Sequence, residues 1–142
     1  MEIRSGQVYG LVGESGSGKS TVALAVMRHL SRRGRVEGGA IYFEDRDLLQ
    51  LSTAEMREIW GERLALVPQD PLSSLNPSLR IGEQIAEILR EHEGLNRREA
   101  SVQSIELLRL VRVPDPERVA RSYPHEISGG MQQRTLIAMA LS

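Results

Sequence analysis

The chain has 142 residues and a formal net charge of −1, with 18 Lys and Arg against 19 Asp and Glu interspersed along it. That length accommodates one domain able to bury about two-thirds of its unfolded surface, and the balanced charge leaves no electrostatic footprint for nucleic acid. Cysteine is absent, which excludes disulfides and thiolate metal sites and fits a reducing compartment; no apolar run is long enough to span a bilayer, and residues 1–5 lack the apolar core of a signal peptide, so the sequence reads as a soluble, intracellular chain.

Val8-Tyr9-Gly10-Leu11-Val12 is a short apolar run that reads as a buried strand. It leads into Gly13-Glu14-Ser15-Gly16-Ser17-Gly18-Lys19-Ser20-Thr21, which has the form G-x-x-x-x-G-K-S. Wrapping a polyphosphate in main-chain N–H groups requires positions without side chains, and the glycines provide them. The loop must also empty into a helix N-terminus, whose unpaired N–H groups and positive dipole end favour an anion. Lys19 then sets a flexible ammonium against the β- and γ-phosphates, and the Ser20 hydroxyl is placed to ligate Mg²⁺. A Gly/Ser turn that binds nothing is the alternative, but strand, glycine loop and helix together are the context that a nucleotide site demands. Ala23, Val26, Met27 and Leu30 fall at helical spacing, with Arg32 and Arg33 suited to the last turn and Gly34 to the cap.

Residues 35–43 read as extended structure, bent or bulged at Gly38-Gly39. Ser52-Thr53-Ala54-Glu55 has the form of a capping box and opens a short helix through Met56, Ile59 and Trp60, closed by Gly61. Leu64-Ala65-Leu66-Val67 is a second strand candidate, ended by Pro68. This order predicts an α/β layer. Asp70-Pro71-Leu72-Ser73-Ser74-Leu75-Asn76-Pro77 is a loop, and helical patterns then follow without strands. Ile81, Ile85, Ile88 and Leu89 line one face of a helix ending at Gly94. Asn96, with Glu99 three residues on, caps a second helix that stops before Pro114. Asp115-Pro116 starts a third as cap and first helical residue. In Ile127-Ser128-Gly129-Gly130-Met131-Gln132-Gln133-Arg134, Ser128 is placed as a helix cap and Gly129 and Gly130 expose N–H groups, making a second candidate anion site. Taken alone, that motif reads more simply as capping. Residues 136–141 are an apolar run with no stop signal, so the sequence reads as a fragment; the alternative is a C-terminal helix that docks without a cap.

Together the phosphate loop, Val67-Pro68-Gln69-Asp70 and Ile127-Ser128-Gly129-Gly130-Met131 resemble the nucleotide-binding domain of ATP-binding-cassette (ABC) proteins, as its phosphate loop, its Q-loop and its signature motif. The wording of residues 70–77 and of Tyr123-Pro124-His125-Glu126 before the signature is similar to ATP-binding subunits of dipeptide/oligopeptide importers, and is shared by some nickel and glutathione importers. The resemblance implies a P-loop NTPase fold of α/β class: an incomplete parallel-sheet core over residues 1–71, an inserted α-helical subdomain over 72–127, and the signature with the start of its helix over 128–142. It implies ATP and Mg²⁺ as ligands, with Gly13, Glu14, Ser15, Gly16, Ser17, Gly18 and Lys19 around the phosphates and Thr21 at the α-phosphate. Ser20 and Gln69 would stand at the metal, and Ser128, Gly129 and Gly130 at the nucleotide of a second, facing ATPase domain. The remaining implied partners are transmembrane permease subunits, which would hold the protein at the inner face of the cell membrane.

The sequence also departs from that family. Met131 stands where the signature usually has Gln, and the neighbouring Gln132 is an open candidate to take over that residue's polar role. No Walker B strand with its catalytic Glu is present, nor a switch His, so no catalytic residue is assigned within the chain. By itself the chain is expected to bind nucleotide with little or no hydrolysis, and to expose sheet edges that favour association. His29 and His92 read as helix-surface residues and His125 as local structure before the signature. The competing functions are an ABC-type ATPase without a membrane partner, a P-loop kinase, which residues 127–131 disfavour, and an inert truncated product.

Overall fold

The computed structural model describes residues 1–31 and 34–142. The chain forms two compact units, Met1–Met56 and Arg57–Ser142. The elements in order are α1 (Lys19–Val26), β1 (Tyr42–Phe43), β2 (Arg46–Asp47), α2 (Thr53–Ile59), α3 (Ile81–His92), α4 (Arg97–Leu110), α5 (Pro116–Arg121), a 3₁₀ turn (Pro124–Glu126) and α6 (Gly129–Ala140).

In the first unit α1 is shorter than its apolar spacing predicts. It stops at Val26 with Met27 as cap, because Arg28 takes a left-handed conformation (φ 54°). The Arg28 guanidinium donates to the carbonyls of Leu48 and Leu51 at 3.2 and 2.5 Å, so it is held away from the helix path. Leu30 therefore lies beyond the helix, and so does His29; the expected last turn at Arg32 and Arg33 falls outside the described residues. β1 and β2 pair antiparallel through a turn in which Glu44 and Asp45 both have positive φ (47° and 65°). Two left-handed residues match the twist of a tight hairpin. Asp47 stabilises the approach by accepting from the N–H groups of Ile41 (3.3 Å) and Leu49 (3.1 Å). The capping box forms as its residues require: Glu55 accepts from the Ser52 N–H at 2.8 Å, and the Glu55 N–H donates to the Ser52 hydroxyl at 3.3 Å.

The second unit contains a helical core. Ile81, Ile85 and Leu89, spaced one turn apart on α3, are fully buried with Ala100 and Leu108 of α4, Val119 of α5 and Ala138 of α6. Each large aliphatic side chain removed from water in this way contributes roughly 1.5–3 kcal/mol. α3 and α5 approach closely at Gly82, where an added Cβ would lie 2.9 Å from the Ala120 carbonyl oxygen. The buried Gln84 holds the preceding loop: it accepts from the Asn76 N–H (2.9 Å) and donates to the carbonyls of Asn76 (3.1 Å) and Leu79 (3.0 Å). Asn96 caps α4 as expected, accepting from the N–H groups of Arg98 and Glu99 at 3.0 Å. Asp115 does not cap α5 with its side chain. It sits in the left-handed region (φ 49°) and its carboxylate pairs with Arg118 at 3.2 Å, while Pro116 takes the first helical position.

The expected parallel sheet is not seen among the described residues. Among the described residues the one sheet is the antiparallel β1–β2 pair. Residues 8–12 form no strand, and Val8 and Val12 are 101% and 93% exposed. Of residues 64–67 only Leu64 makes a bridge, an isolated parallel one to Trp60. A strand is held by the backbone of a neighbour and by cover on its faces. Among the described residues nothing gives residues 8–12 either, so apolar composition alone does not make them strand.

Candidate functional site

The glycine loop is built around Lys19. Its ammonium donates to the carbonyl oxygens of Glu14 (2.6 Å) and Gly13 (2.9 Å) and to the Ser17 hydroxyl (3.3 Å). The Ser17 N–H closes the turn on the Glu14 carbonyl at 3.2 Å. Gly16 and Gly18 have φ of 83° and 90°, the left-handed region where a Cβ is strained. Gly18 is also the N-cap of α1. α1 has no side-chain cap and no acidic residue in its first turn, so its N-terminal N–H groups and positive dipole end are not neutralised there. Glu14, Ser15, Ser20 and Thr21 are exposed on this loop and first turn, and Lys19 is half-buried. The arrangement sets one ammonium beside an uncapped helix start, and both features favour an anion.

The other candidate residues lie in the second unit. Gln69 is exposed, and the chain turns immediately after it: the Asp70 carboxylate accepts from the Leu72 N–H (3.1 Å), and the Ser73 hydroxyl donates to the Asp70 carbonyl (2.9 Å). Ser128 occupies the N-cap position of α6 with φ −67° and ψ 157°, but its side chain makes no capping bond. The sequence reading of Ser128 as a capping side chain is thereby corrected. Ser128, Gly129 and Gly130 are exposed, and nothing lies within 4 Å of where a Cβ of either glycine would be. Behind them Ile127 is buried, and Met131 packs partly buried against the helical core.

Gln132 does not take over the polar role of a glutamine at position 131. It is 5% exposed, and its amide donates to the carbonyls of Pro124 (2.8 Å) and Ile127 (3.3 Å). Gln133 reaches the Pro68 carbonyl at 3.5 Å, linking α6 to the residue before Gln69. Arg134 donates to the carbonyls of Arg112 (2.6 Å) and Val111 (3.2 Å), where α4 ends. A C-terminal carbonyl cluster attracts a cation. Sequence reasoning does not single out the bonds of these three side chains; a run of polar residues one helical turn past a cap is the only signal. His125 stacks on Tyr123 with centroids 5.7 Å apart, and His92, the last residue of α3, lies against Gly61.

A surface concavity of about 1110 Å³ runs along α4 between Asn96 and Leu110 and includes none of the candidate site residues. Among the described residues no three acidic or histidine side chains gather to hold a metal ion, and no helix is long and apolar enough to cross a membrane.

A glycine loop that passes through lysine into a helix start is the construction of P-loop nucleotide-binding folds. The comparison with solved structures agrees. An ATP-binding cassette solved as a dimer in a post-hydrolysis state, bound to ADP and Pi, superposes with a TM-score of 0.71 and 27% sequence identity, over 90% of this chain and 53% of that one. Residues 1–142 match the family described as ABC transporter, and the chain belongs to that family. It is 49% identical, over 99% of its length, to a probable peptide ABC transporter ATP-binding protein of Sinorhizobium fredii. Identity is 46% over 98% to an oligopeptide transport ATP-binding protein of Haemophilus influenzae, and 45% over 99% to a dipeptide transport ATP-binding protein of the same organism. The chain spans 42–43% of the length of these relatives.

Proposed function

We propose that this chain is the nucleotide-binding part of the ATP-binding subunit of an ABC importer for peptides or similar small solutes. The observation that carries the reading is the Lys19 ammonium held on the Glu14 and Gly13 carbonyls at the start of α1. The peptide-transport names of the relatives support the substrate class.

In this reading Gly13, Glu14, Ser15, Gly16, Ser17, Gly18 and Lys19 bind the ATP phosphates, with Thr21 at the α-phosphate. The residues fit that group, because the loop offers donors and its glycine Cβ positions at 16 and 18 open into free space. The Ser20 hydroxyl would ligate a magnesium ion together with phosphate oxygens and water; a site of this kind needs no all-protein cage. When bound, Mg²⁺ neutralises charge on the β- and γ-phosphates. Ser128, Gly129 and Gly130 present donors to the nucleotide of a second, facing cassette. Residues 1–71, 72–127 and 128–142 act as nucleotide core, helical subdomain and signature segment. Permease subunits are the membrane partners and keep the protein at the cytoplasmic face, where closure of two cassettes on ATP is coupled to solute passage.

Titration with a fluorescent ATP analogue, with and without Mg²⁺, tests the reading. Saturable, Mg²⁺-strengthened binding that weakens at least about tenfold in Lys19→Ala, or about 1.4 kcal/mol, is the expected result. Equal binding by wild type and Lys19→Ala would overturn it, and ATP consumption that depends on a metabolite rather than water would mark a kinase instead.

A further inference from the structure

We infer that Gln132 is the positioning residue of the 128–130 turn, holding the neighbouring carbonyls inward so that the turn presents only donors; this rests on the anion-binding role proposed above for that turn. An anion site made of main chain fails if a carbonyl can rotate into it, because each N–H is matched by a C=O of opposite sign on the adjacent peptide. The carbonyls that flank the Ser128 side chain along the backbone are those of Ile127 and Ser128. Gln132 takes both. Its side-chain amide donates to the Ile127 carbonyl at 3.3 Å and its backbone N–H to the Ser128 carbonyl at 2.9 Å.

The second side-chain hydrogen goes to the Pro124 carbonyl at 2.8 Å, which ties the turn to the 3₁₀ segment before it. That segment is itself fixed, since the Tyr123 N–H donates to the Glu126 carboxylate at 2.7 Å. Gln132 is buried, so these amide bonds form where water does not compete and where their loss leaves carbonyls unpaired. The Ser128 hydroxyl, meanwhile, makes no capping bond. Capping is the ordinary use of a serine here; with the turn secured from behind by Gln132, that hydroxyl is left available to a ligand.

The test uses the full-length protein that carries this chain, assembled with its permease subunits, and a matched NMR sample of the protein. Gln132→Leu removes both side-chain donors at similar volume, and Gln132→Glu keeps the shape while placing a carboxylate against two carbonyls. The expected result is a loss of at least about tenfold in ATP-driven dimer closure and ATPase rate for both variants, with the affinity of the phosphate loop for the fluorescent analogue unchanged. Gln132→Glu should recover partly on acidification, because a protonated carboxyl can donate to one of the carbonyls; Gln132→Leu should not recover. Unchanged closure, or a parallel loss of analogue binding and thermal stability in both variants, would overturn the inference. In the nucleotide-free sample the Gln132 side-chain amide protons should be protected from exchange; free exchange would overturn it even if the nucleotide reading stands. Failure of analogue binding by the wild type would instead count against the nucleotide reading.

Discussion

The ammonium of Lys19 lies 2.6 Å from the carbonyl oxygen of Glu14, five residues earlier in the chain. With the Gly13 carbonyl at 2.9 Å it anchors the positive charge inside the turn that the glycines make. Such a lysine serves two ends: it offsets carbonyls that would repel an anion, and it stays within a short swing of that anion. Lys19→Met should therefore weaken ATP binding roughly 10- to 100-fold, about 1.4–2.8 kcal/mol. Thermal stability should change little, since the bonds removed are in an exposed loop. Calorimetric titration alongside a melting curve checks both.

Two glycines of the loop should respond differently to alanine. At Gly18, the N-cap of α1, there is open space for a Cβ but φ is 90°, so Gly18→Ala costs only the backbone strain, roughly 1–2 kcal/mol. At Gly13 no such φ applies; the new Cβ would meet the Ser17 hydroxyl at 2.7 Å. That hydroxyl accepts from Lys19, so Gly13→Ala should disturb the lysine through Ser17. Adding Ser17→Ala should relieve Gly13→Ala and leave Gly18→Ala unimproved, as read by denaturant midpoints of the single and double variants.

Much of the second unit was legible because its signals are local and periodic. The Ile81, Ile85, Leu89 spacing and the Asn96–Glu99 pair specify helices whose faces and ends the structure reproduces. The glycine turn and the helix start after it were legible in the same way, since glycine spacing and lysine state their own geometry. The sheet was not. Residues 8–12 and 64–67 have strand composition, but strand formation depends on a neighbouring backbone that no window of sequence contains. The end of α1 was hidden for a related reason: Arg28 leaves the helix to bond the carbonyls of Leu48 and Leu51, some twenty residues away. The β1–β2 hairpin was missed because Glu44 and Asp45, not Asn-Gly, supply its two left-handed residues. At the 128–130 turn the sequence placed two glycines at a helix start, as the structure does, while the buried Gln132 behind them showed only in three dimensions.

Asn96 and Ser128 both stand at helix N-caps, and only one of them uses its side chain there. Asn96→Ala should cost about 1 kcal/mol, the usual loss of a capping oxygen. Ser128→Ala should change stability by less than about 0.5 kcal/mol, as for exposed positions without such a bond. Its effect should appear in ATP-driven association of two cassettes. Urea unfolding of both variants, paired with sedimentation in ATP, separates the two roles.

Glu55 supplies a pH dependence with a definite sign. The Ser52 N–H, then the Ser52 hydroxyl, and more weakly the charge of Arg46 hold its carboxyl below the ordinary glutamate value. A carboxylate depressed in the folded state stabilises the fold above its unfolded pKa, and that contribution is lost as pH falls through the folded pKa. The capping box should thus be fully present at neutral pH and weaken only in acid, below the ordinary carboxylate range. Ser52→Ala should raise the Glu55 midpoint toward the ordinary value, which carboxyl-detected NMR titration would follow directly.

A close helix approach in the second unit offers the last test. Gly82 is buried on α3, and a Cβ there would lie 2.9 Å from the Ala120 carbonyl oxygen and 3.0 Å from the Ala120 Cβ on α5. The obstacle is backbone, which cannot swing aside as a side-chain tip can. Gly82→Ala must then separate the helices or bend one, against the helix propensity that alanine adds. Overpacking of this kind typically costs about 1–3 kcal/mol, while the propensity gain is about 1 kcal/mol, so a net loss of up to about 2 kcal/mol is expected. The strain also has a route to the 128–130 turn: the Ile81 N–H donates to the Ser122 carbonyl at 2.9 Å, one residue before Tyr123. Gly82→Ala should accordingly weaken ATP-driven association as well as stability. Ala120→Gly removes the Cβ contact but not the carbonyl, so it should restore only part of either, measured by unfolding and sedimentation on the same samples.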